Sequence, residues 1–366
     1  AGQCQIVNTN LHPALSAHLV KDREFTGEHY QRSRPNSSVF HGCAVAPHPN
    51  LVYTPASDAG ASSSSGSSSR SAGDGGSSSG SSSSSSSSGS SDGATSASRC
   101  PPFPAIPDAA CTGVPPGVTL QDCSSDRLVL TKAGEVFENC RFNGDVVIQA
   151  NDITIRSSLV KGRIDAGDQS PGHNLTLIDV EVDGGGSGGG YNVAGIGSRG
   201  FSCLRCNVHG GGHGIAAEGD ARVEDSFIHD FAAVSADDHM GGIAAHGGSK
   251  VKIIHSNVEC SYSGRFDGLC SSAVGMYGDF APIDDYELKN NLFNTQDGYC
   301  VYGGSSSSKP FPHATNVRYV DNLFGKKFGS KCGYYGPVSS FEIGNTGNVW
   351  SGNRWQDGSG DVPAAN

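Results

Sequence analysis

A ten-residue block recurs eight times in this chain, and the repetition constrains the fold more than any other feature of the sequence. The clearest copy, residues 251–260, has a bulky apolar residue third, a small or polar residue sixth and an apolar residue eighth. Successive copies start 18 to 35 residues apart. The other seven copies are residues 135–144, 153–162, 175–184, 201–210, 221–230, 286–295 and 317–326.

The block predicts a strand followed by a turn. Its side chains alternate inward and outward, as in a strand, and it then reaches a small or amide-bearing residue where the chain turns. One such coil cannot bury its apolar face alone, so a repeat of this length predicts a solenoid in which each coil covers the next. We therefore predict an all-β parallel β-helix of nine or ten coils, stacked about 4.8 Å apart.

Composition divides the chain into three parts. Residues 1–56 are too short to hold a large core of their own. Residues 57–99 are mostly Ser and Gly and predict a flexible linker or a glycan-bearing tract, because they bury too little surface to become ordered. Residues 100–366 hold the blocks and are predicted to form the β-helix, with Trp350 and Trp355 closing its C-terminal end.

The 12 cysteines favour disulfides and an oxidising, extracytoplasmic compartment, since none shows zinc-ribbon spacing. The chain starts at Ala1, as expected after removal of a signal peptide, so we expect a secreted or surface protein. Cys203-Leu204-Arg205-Cys206 lies inside a strand block, which disfavours a redox role. The predicted pairs are Cys4–Cys43, Cys100–Cys111, Cys123–Cys140, Cys203–Cys206, Cys260–Cys270 and Cys300–Cys332.

Charge and hydropathy exclude two classes of partner. The formal net charge is −11, with no basic stripe for phosphates, which argues against nucleic acid. The same charge disfavours a strongly anionic glycan unless a cation bridges. No run of about 18 apolar residues exists, so no membrane span is predicted.

Residues 112–362 resemble the right-handed parallel β-helix repeat proteins that bacteria secrete. The most specific part is the tail from Asn322-Leu323-Phe324-Gly325 through residues 332–337 to Val349-Trp350-Ser351-Gly352-Asn353. The resemblance implies a right-handed parallel β-helix. It leaves the function open, because this architecture hosts pectate lyases, polygalacturonases, adhesins and phage tailspikes.

A cluster of His and Asp residues is the candidate catalytic site. Two carboxylates and an imidazole in one cleft could bind a divalent cation, calcium in a lyase, or cleave a sugar bond by acid–base chemistry. The alternative is a polar loop, and the polygalacturonase motifs occur here in the wrong order, so no cofactor is predicted and an enzyme is not favoured. The candidates are His229, Asp230, Asp237, Asp238, His239 and His246.

Two further sets of residues relate to carbohydrate. Late in the repeats, Tyr277, Tyr302, Tyr334 and Tyr335 are candidates for stacking on sugar rings, although tyrosines also half-bury without a ligand. Asn36 and Asn174 open N-glycosylation sequons, and the serines of residues 57–99 are further glycan acceptors.

Three functions fit these features. The favoured one is an extracellular structural subunit of a fibre or surface coat, because residues 57–99 could extend roughly 140 Å while the stack is only on the order of 45 Å long. Its predicted partners are copies of itself and glycans. The alternatives are a polysaccharide lyase or glycoside hydrolase, and a carbohydrate-binding or adhesive surface module.

Overall fold

The computed structural model describes residues 99–167, 173–185, 194–232, 239–262 and 269–364. These ranges contain 25 strands and no helix, and they lie in a compact unit, Ser96–Asn366. The predictions for Cys4, Cys43, Asn36 and the serines up to residue 98 lie outside the described residues. In chain order the strands are β1 (Gln121–Ser124), β2 (Leu128–Leu130), β3 (Val136–Glu138), β4 (Cys140–Phe142), β5 (Val146–Ile148), β6 (Thr154–Lys161), β7 (Ile164–Ala166), β8 (Leu175–Asp183), β9 (Ala194–Leu204), β10 (Asn207–His209), β11 (His213–Ala216), β12 (Gly219–Glu224), β13 (Phe227–Ile228), β14 (His239–Ala245), β15 (Gly248–Ile254), β16 (Asn257–Cys260), β17 (Leu269–Met276), β18 (Ile283–Lys289), β19 (Leu292–Thr295), β20 (Tyr299–Gly303), β21 (Thr315–Val320), β22 (Leu323–Phe324), β23 (Gly336–Ser339), β24 (Val349–Ser351) and β25 (Arg354–Trp355).

The strands stack in parallel register into three ladders, which confirms the prediction of an all-β parallel solenoid. The first ladder is β3–β6–β8–β9–β12–β15–β18–β21–β24. The second is β1–β4–β6–β8–β10–β13–β16–β19–β22–β25. The third is β2–β5–β7–β9–β11–β14–β17–β20–β23.

Each ten-residue block forms a first-ladder strand, a one-residue corner and a second-ladder strand. The corner is the fifth residue of the block, one position before the turn that the sequence pattern indicates. It takes the left-handed conformation in all eight copies, which brings the sixth residue round to face the interior. The eight corners are Asn139, Ser157, Asp179, Arg205, Asp225, His255, Asn290 and Asp321, with φ between 44° and 60°.

The sixth residue of several blocks joins a polar row inside the solenoid. The Asn291 side-chain amide donates to Asn322 Oδ1 at 3.0 Å, and that of Asn322 donates to Asn353 Oδ1 at 2.9 Å. All three side chains are buried. The row satisfies its own polar atoms, so small and amide-bearing residues fit a position between apolar third and eighth residues.

Five disulfides lie within the described residues, and they are the five pairs that the repeat predicts there. Cys203 and Cys206 are the third and sixth residues of one block, so both face the interior and are almost fully buried. A redox role would require an accessible sulfur. The pairs are Cys100–Cys111, Cys123–Cys140, Cys203–Cys206, Cys260–Cys270 and Cys300–Cys332.

The C-terminal residues fold back over the last coil. Arg354 and Asp361 form an antiparallel bridge, and Trp350 Nε1 donates to the carbonyl of Val362 at 2.8 Å. The amide of Val362 donates to the carbonyl of Asn353 at 2.9 Å. These contacts hold residues 354–362, which we call the cap, against the last coil. The closing role of the two tryptophans stays a prediction. No helix long and apolar enough to span a bilayer occurs among the described residues.

Candidate functional site

The third ladder presents a column of outward residues that changes character along the stack. In register, the column runs through Gly197, Ala216, Ala244, Gly275 and Tyr302. Small residues thus occupy four successive coils, and an aromatic ring occupies the fifth. The change marks the beginning of an aromatic surface on the later coils.

That surface is a row of seven rings, which we call the aromatic strip. Neighbouring ring centroids lie 5.0 to 5.8 Å apart, the spacing of rings in mutual contact. Among the residues that the structure describes, successive rings contact one another in a single row, so the strip is narrow. In order, the rings are Phe280, His246, Tyr277, Tyr302, Tyr299, Tyr335 and Tyr334.

The two ends of the strip are open to solvent and its middle is half-buried. Phe280 is 80% exposed, Tyr334 72% and Tyr335 59%. Aromatic side chains this exposed, and contiguous, are unusual on a soluble protein surface unless they meet a ligand or partner. All four tyrosines predicted to bind carbohydrate lie in the strip.

A glycine fixes the central ring of the strip. Tyr277 folds back over strand β17, and a methyl group at Gly275 would collide with the Tyr277 hydroxyl. The hydroxyl lies 3.4 Å from Ser272 Oγ. The absence of a side chain at Gly275 therefore leaves room for the Tyr277 ring beside Tyr302, with the two ring planes tilted by 46°.

Charged groups border the strip on both sides of Tyr277. Lys309 Nζ lies 5.3 Å from the Tyr277 ring centroid and donates to Asp279 Oδ1 at 2.7 Å. His246 Nδ1 lies 3.4 Å from Glu218 Oε1. Burial alone would raise the pKa of Glu218, but the hydrogen bond with His246 and the charges of His246 and Arg199 outweigh it, so the pKa lies below its usual value. Glu218 is therefore an ionised acceptor beside the rings.

The hydroxyl of Tyr302 keeps its proton. Burial and the neighbouring Tyr299 raise the pKa of Tyr302 above its ordinary value. The strip thus combines apolar ring surface, with neighbouring rings tilted or edge-on to one another, and hydroxyl donors.

Two of the predicted catalytic residues lie on the second ladder instead. His229 Nδ1 lies 2.9 Å from Asp230 Oδ2, its Nε2 lies 2.8 Å from Asn207 Oδ1, and its ring stacks on Phe227 with centroids 3.8 Å apart. Burial lowers the pKa of His229, and the charge of His209 acts in the same direction. These side chains are bonded to one another along the coils.

The other predicted catalytic residues do not join that network. His239 begins β14 and His246 follows its end, so seven residues of strand, on the order of 20 Å, separate the two histidines. His246 belongs to the aromatic strip. Asp237 and Asp238 lie outside the described residues. Among the residues that the structure does describe, no group of three or more metal-ligating side chains converges.

Asn174, the second predicted sequon, occupies an exposed turn. Its side-chain amide donates to Asp152 Oδ1 at 3.1 Å, and its φ is 62°. Glycosylation at Asn174 stays a prediction, because the exposed amide is accessible but already caps the neighbouring coil.

The sequence pattern missed Phe280, Tyr299 and the role of His246. Tyr299 lies three residues before Tyr302 and in register with Gly336. The two rings can contact each other because the third-ladder strands do not alternate strictly. Aligning the third-ladder segments with one another, as was possible for the ten-residue blocks, is the signal that could have placed Tyr299 beside Tyr302.

The strip is therefore an open, linear aromatic surface, and its geometry carries the functional argument.

No family model, curated protein or solved structure matches this chain.

Proposed function

We propose that this protein is a secreted carbohydrate-binding protein, and that the aromatic strip binds a polysaccharide. The observation that carries the proposal is the row of seven contacting rings, exposed at both ends. A sugar ring has an apolar face that stacks on an aromatic ring and a rim of hydroxyls that needs hydrogen-bonding partners. The strip supplies both, with Tyr302 as a donor and Glu218 as an acceptor.

The shape and charge of the strip narrow the ligand. A narrow surface suits a linear chain better than a globular partner, whose interfaces are broad patches. Lys309 is paired with Asp279, and the chain carries a net charge of −11. We therefore infer a neutral polysaccharide rather than an anionic one.

The proposal also includes an extracellular location and a right-handed winding of the coils. Five disulfide pairs fit an oxidising environment, and we infer from them that the protein acts outside the cell. The resemblance to secreted repeat proteins supports a right-handed winding of the coils.

Fibre formation is supported less well than carbohydrate binding. The long Ser- and Gly-rich part of the chain, from which the fibre was predicted, lies outside the described residues, so this function stays a prediction. The cap lies against the last coil, and head-to-tail stacking of solenoids would have to displace it.

Co-sedimentation with insoluble neutral polysaccharides, such as cellulose and chitin, tests the proposal. We expect binding by the native chain and about fivefold weaker binding by Tyr302→Ala, because one stacking contact contributes about 1 kcal/mol. Phe328→Ala is the matched control, since the Phe328 ring contacts Lys327 away from the strip. Loss of binding in the control, or no binding to any neutral polysaccharide, would refute the proposal.

A further inference from the structure

Residues 99–113, which we call the strap, lie along the second ladder and are fastened at two places. The first is its base. Arg99 donates to the carbonyls of Cys111 at 2.7 Å and Gly113 at 3.0 Å and pairs with Asp179 at 3.2 Å. The Cys100–Cys111 disulfide closes the strap into a loop at this base.

Arg205 anchors the base from the solenoid side. Its guanidinium donates to both oxygens of Asp179, at 2.7 and 2.9 Å, and its carbonyl accepts from the amide of Gly113 at 2.9 Å. A guanidinium keeps its charge at any pH a protein meets. The base is therefore fastened by two guanidinium groups and by a covalent bond.

The second fastening holds the tip of the strap, residues 103–107. His255 Nε2 donates to the carbonyl of Ala105 at 2.8 Å, and the Asn257 side-chain amide donates to that of Pro107 at 3.2 Å. The Phe103 ring meets His255 edge-on at 6.4 Å and lies beneath Arg354 at 6.0 Å. The tip thus reaches from the coil of His255 to the last coil.

Two leucines lie in the path of the tip. Leu292 and Leu323 continue the outward column from Asn257 to Arg354. Their neighbours Phe293 and Phe324 face the core, so by alternation the two leucines face away from it. They are nevertheless only 6% and 5% exposed. Since the tip is bonded to Asn257 at one end of this column and Phe103 lies beside Arg354 at the other, we infer that the tip covers the two leucines.

His255 faces two hydrogen-bond acceptors at once. Its Nδ1 lies 2.6 Å from Asp225 Oδ1, and its Nε2 lies 2.8 Å from the carbonyl of Ala105. A neutral imidazole has a single N–H, so both bonds exist together only in the imidazolium form. Histidine is also an uncommon corner residue, at φ 44°, where Asn and Asp recur.

The charges around His255 favour that form. Asp225 and Glu224 face it from the preceding coil, and the Arg205 guanidinium, which also interacts with Asp225, is hydrogen-bonded to Asp179. On the following coil its backbone amide donates to the carbonyl of Lys289. The hydrogen bond with Asp225 is the main cause that raises the pKa of His255 above its ordinary value, against an opposing effect of burial.

We propose that the strap tip is a pH-operated flap, held down by the doubly hydrogen-bonded His255 and released when that ring loses a proton, so that Leu292 and Leu323 become exposed. The base stays closed during the release, because Arg99, Arg205 and the disulfide hold it. The exposed leucines form an apolar surface that the closed state hides.

The sign of the pH effect follows from the raised pKa. The bond stabilises the closed flap fully below about pH 6.5, the value for an unperturbed histidine, and is lost as the pH rises through the higher value of the closed state. The open fraction of the flap is therefore expected to be smaller in acid than in alkali.

Methyl NMR with a soluble paramagnetic probe tests the flap on the full chain. We compare the relaxation that the probe causes at the Leu292 and Leu323 methyls at about pH 5.5 and about pH 9.5. In the native chain we expect the ratio of open to closed flap to rise about tenfold or more from the lower to the higher pH, since a charge-assisted hydrogen bond is lost. The Leu288 methyls, buried in the core, report whether the solenoid stays folded.

Three variants decide the result. His255→Asn, which tolerates the corner conformation, should leave the leucines accessible at both pH values, and Asp225→Asn should move the opening to lower pH. His313→Asn, at an exposed histidine, is the control and should behave as the native chain does. Equal accessibility at both pH values in the native chain, or a native pH profile in both His255→Asn and Asp225→Asn, would overturn the proposal.

Discussion

The second and third ladders use the same coils but present opposite kinds of surface. On the second ladder, the strap lies over the outward side chains, and its backbone carbonyls accept hydrogen bonds from His255 and Asn257. On the third ladder, the rings of the aromatic strip are exposed at both ends, and no described segment covers Tyr334 or Phe280. One face is closed by the chain itself, and the other is open.

The difference between the covered and the open face indicates where a solenoid carries its function. Outward positions of a repeat are not constrained by the core, so their residues reflect what lies over them. Where the strap lies over them, His255 and Asn257 donate to strap carbonyls, and Leu292 and Leu323 are buried. Where nothing described lies over them, aromatic residues accumulate, and an external ligand is the simplest reason for such a surface.

The largest expected effect comes from opening the base of the covered face. Cys100→Ser with Cys111→Ser removes a disulfide that closes a short loop, and we expect a loss of about 2 to 3 kcal/mol in the free energy of unfolding. Chemical denaturation measures the loss. Polysaccharide binding should be unchanged, and a parallel loss of binding would show that the two faces are not independent.

A smaller effect is expected from the ion pair at the base of the strap. Arg205→Ala leaves the mostly buried Asp179 with Arg99 as its remaining partner, at a cost of about 2 kcal/mol in the free energy of unfolding. Arg222→Ala removes an exposed pair with Glu224 and should cost less than about 0.5 kcal/mol. Equal costs in thermal or chemical denaturation would contradict the role assigned to Arg205.

On the open face, Gly275→Ala should act on binding more than on stability. The added methyl forces the Tyr277 ring away from its place beside Tyr302, and we expect about fivefold weaker polysaccharide binding. Gly329→Ala is the control, since no atom lies near its added methyl. Native affinity in Gly275→Ala, measured by co-sedimentation, would show that the position of Tyr277 is not required.

The smallest effect is a pH dependence of the open face. Because the pKa of Glu218 in the folded chain is lowered, its carboxylate is fully available as an acceptor for a sugar hydroxyl above about pH 4.5. This contribution to polysaccharide binding is lost as the pH falls through the lower folded-state pKa. We expect polysaccharide binding to weaken about twofold in that acidic range. Glu218→Gln should lose the dependence, and the same acid sensitivity in the variant would assign it to another group.

The repeat made the interior of the fold predictable. The third, sixth and eighth positions of the blocks recur because each packs on the same position of the next coil, and Cys203 and Cys206 could be paired from their positions in one block. The sequence pattern places the corner one residue too late, because the left-handed backbone conformation of Arg205 and His255 cannot be recognised from their residue types.

The outer surface was predictable only in part. Tyr277 and Tyr302 could be selected from their strand positions, but the proximity of His246 depends on register between coils. The strap was missed, because a Pro-rich sequence indicates an extended chain without indicating what it lies on. Closeness in sequence also misled at His239 and His246, since the intervening strand holds them apart.

The most direct test of the account is to map a bound polysaccharide fragment onto the tyrosine rings. The chain has 11 tyrosines, which selective isotope labelling makes visible by NMR. With soluble fragments of the neutral polysaccharide that co-sediments with the chain, we expect shifts at the five strip tyrosines and none at Tyr262, which lies among the second-ladder residues. The five are Tyr277, Tyr299, Tyr302, Tyr334 and Tyr335. Shifts centred on Tyr262, or unchanged resonances at all five strip tyrosines, would contradict the proposed binding site.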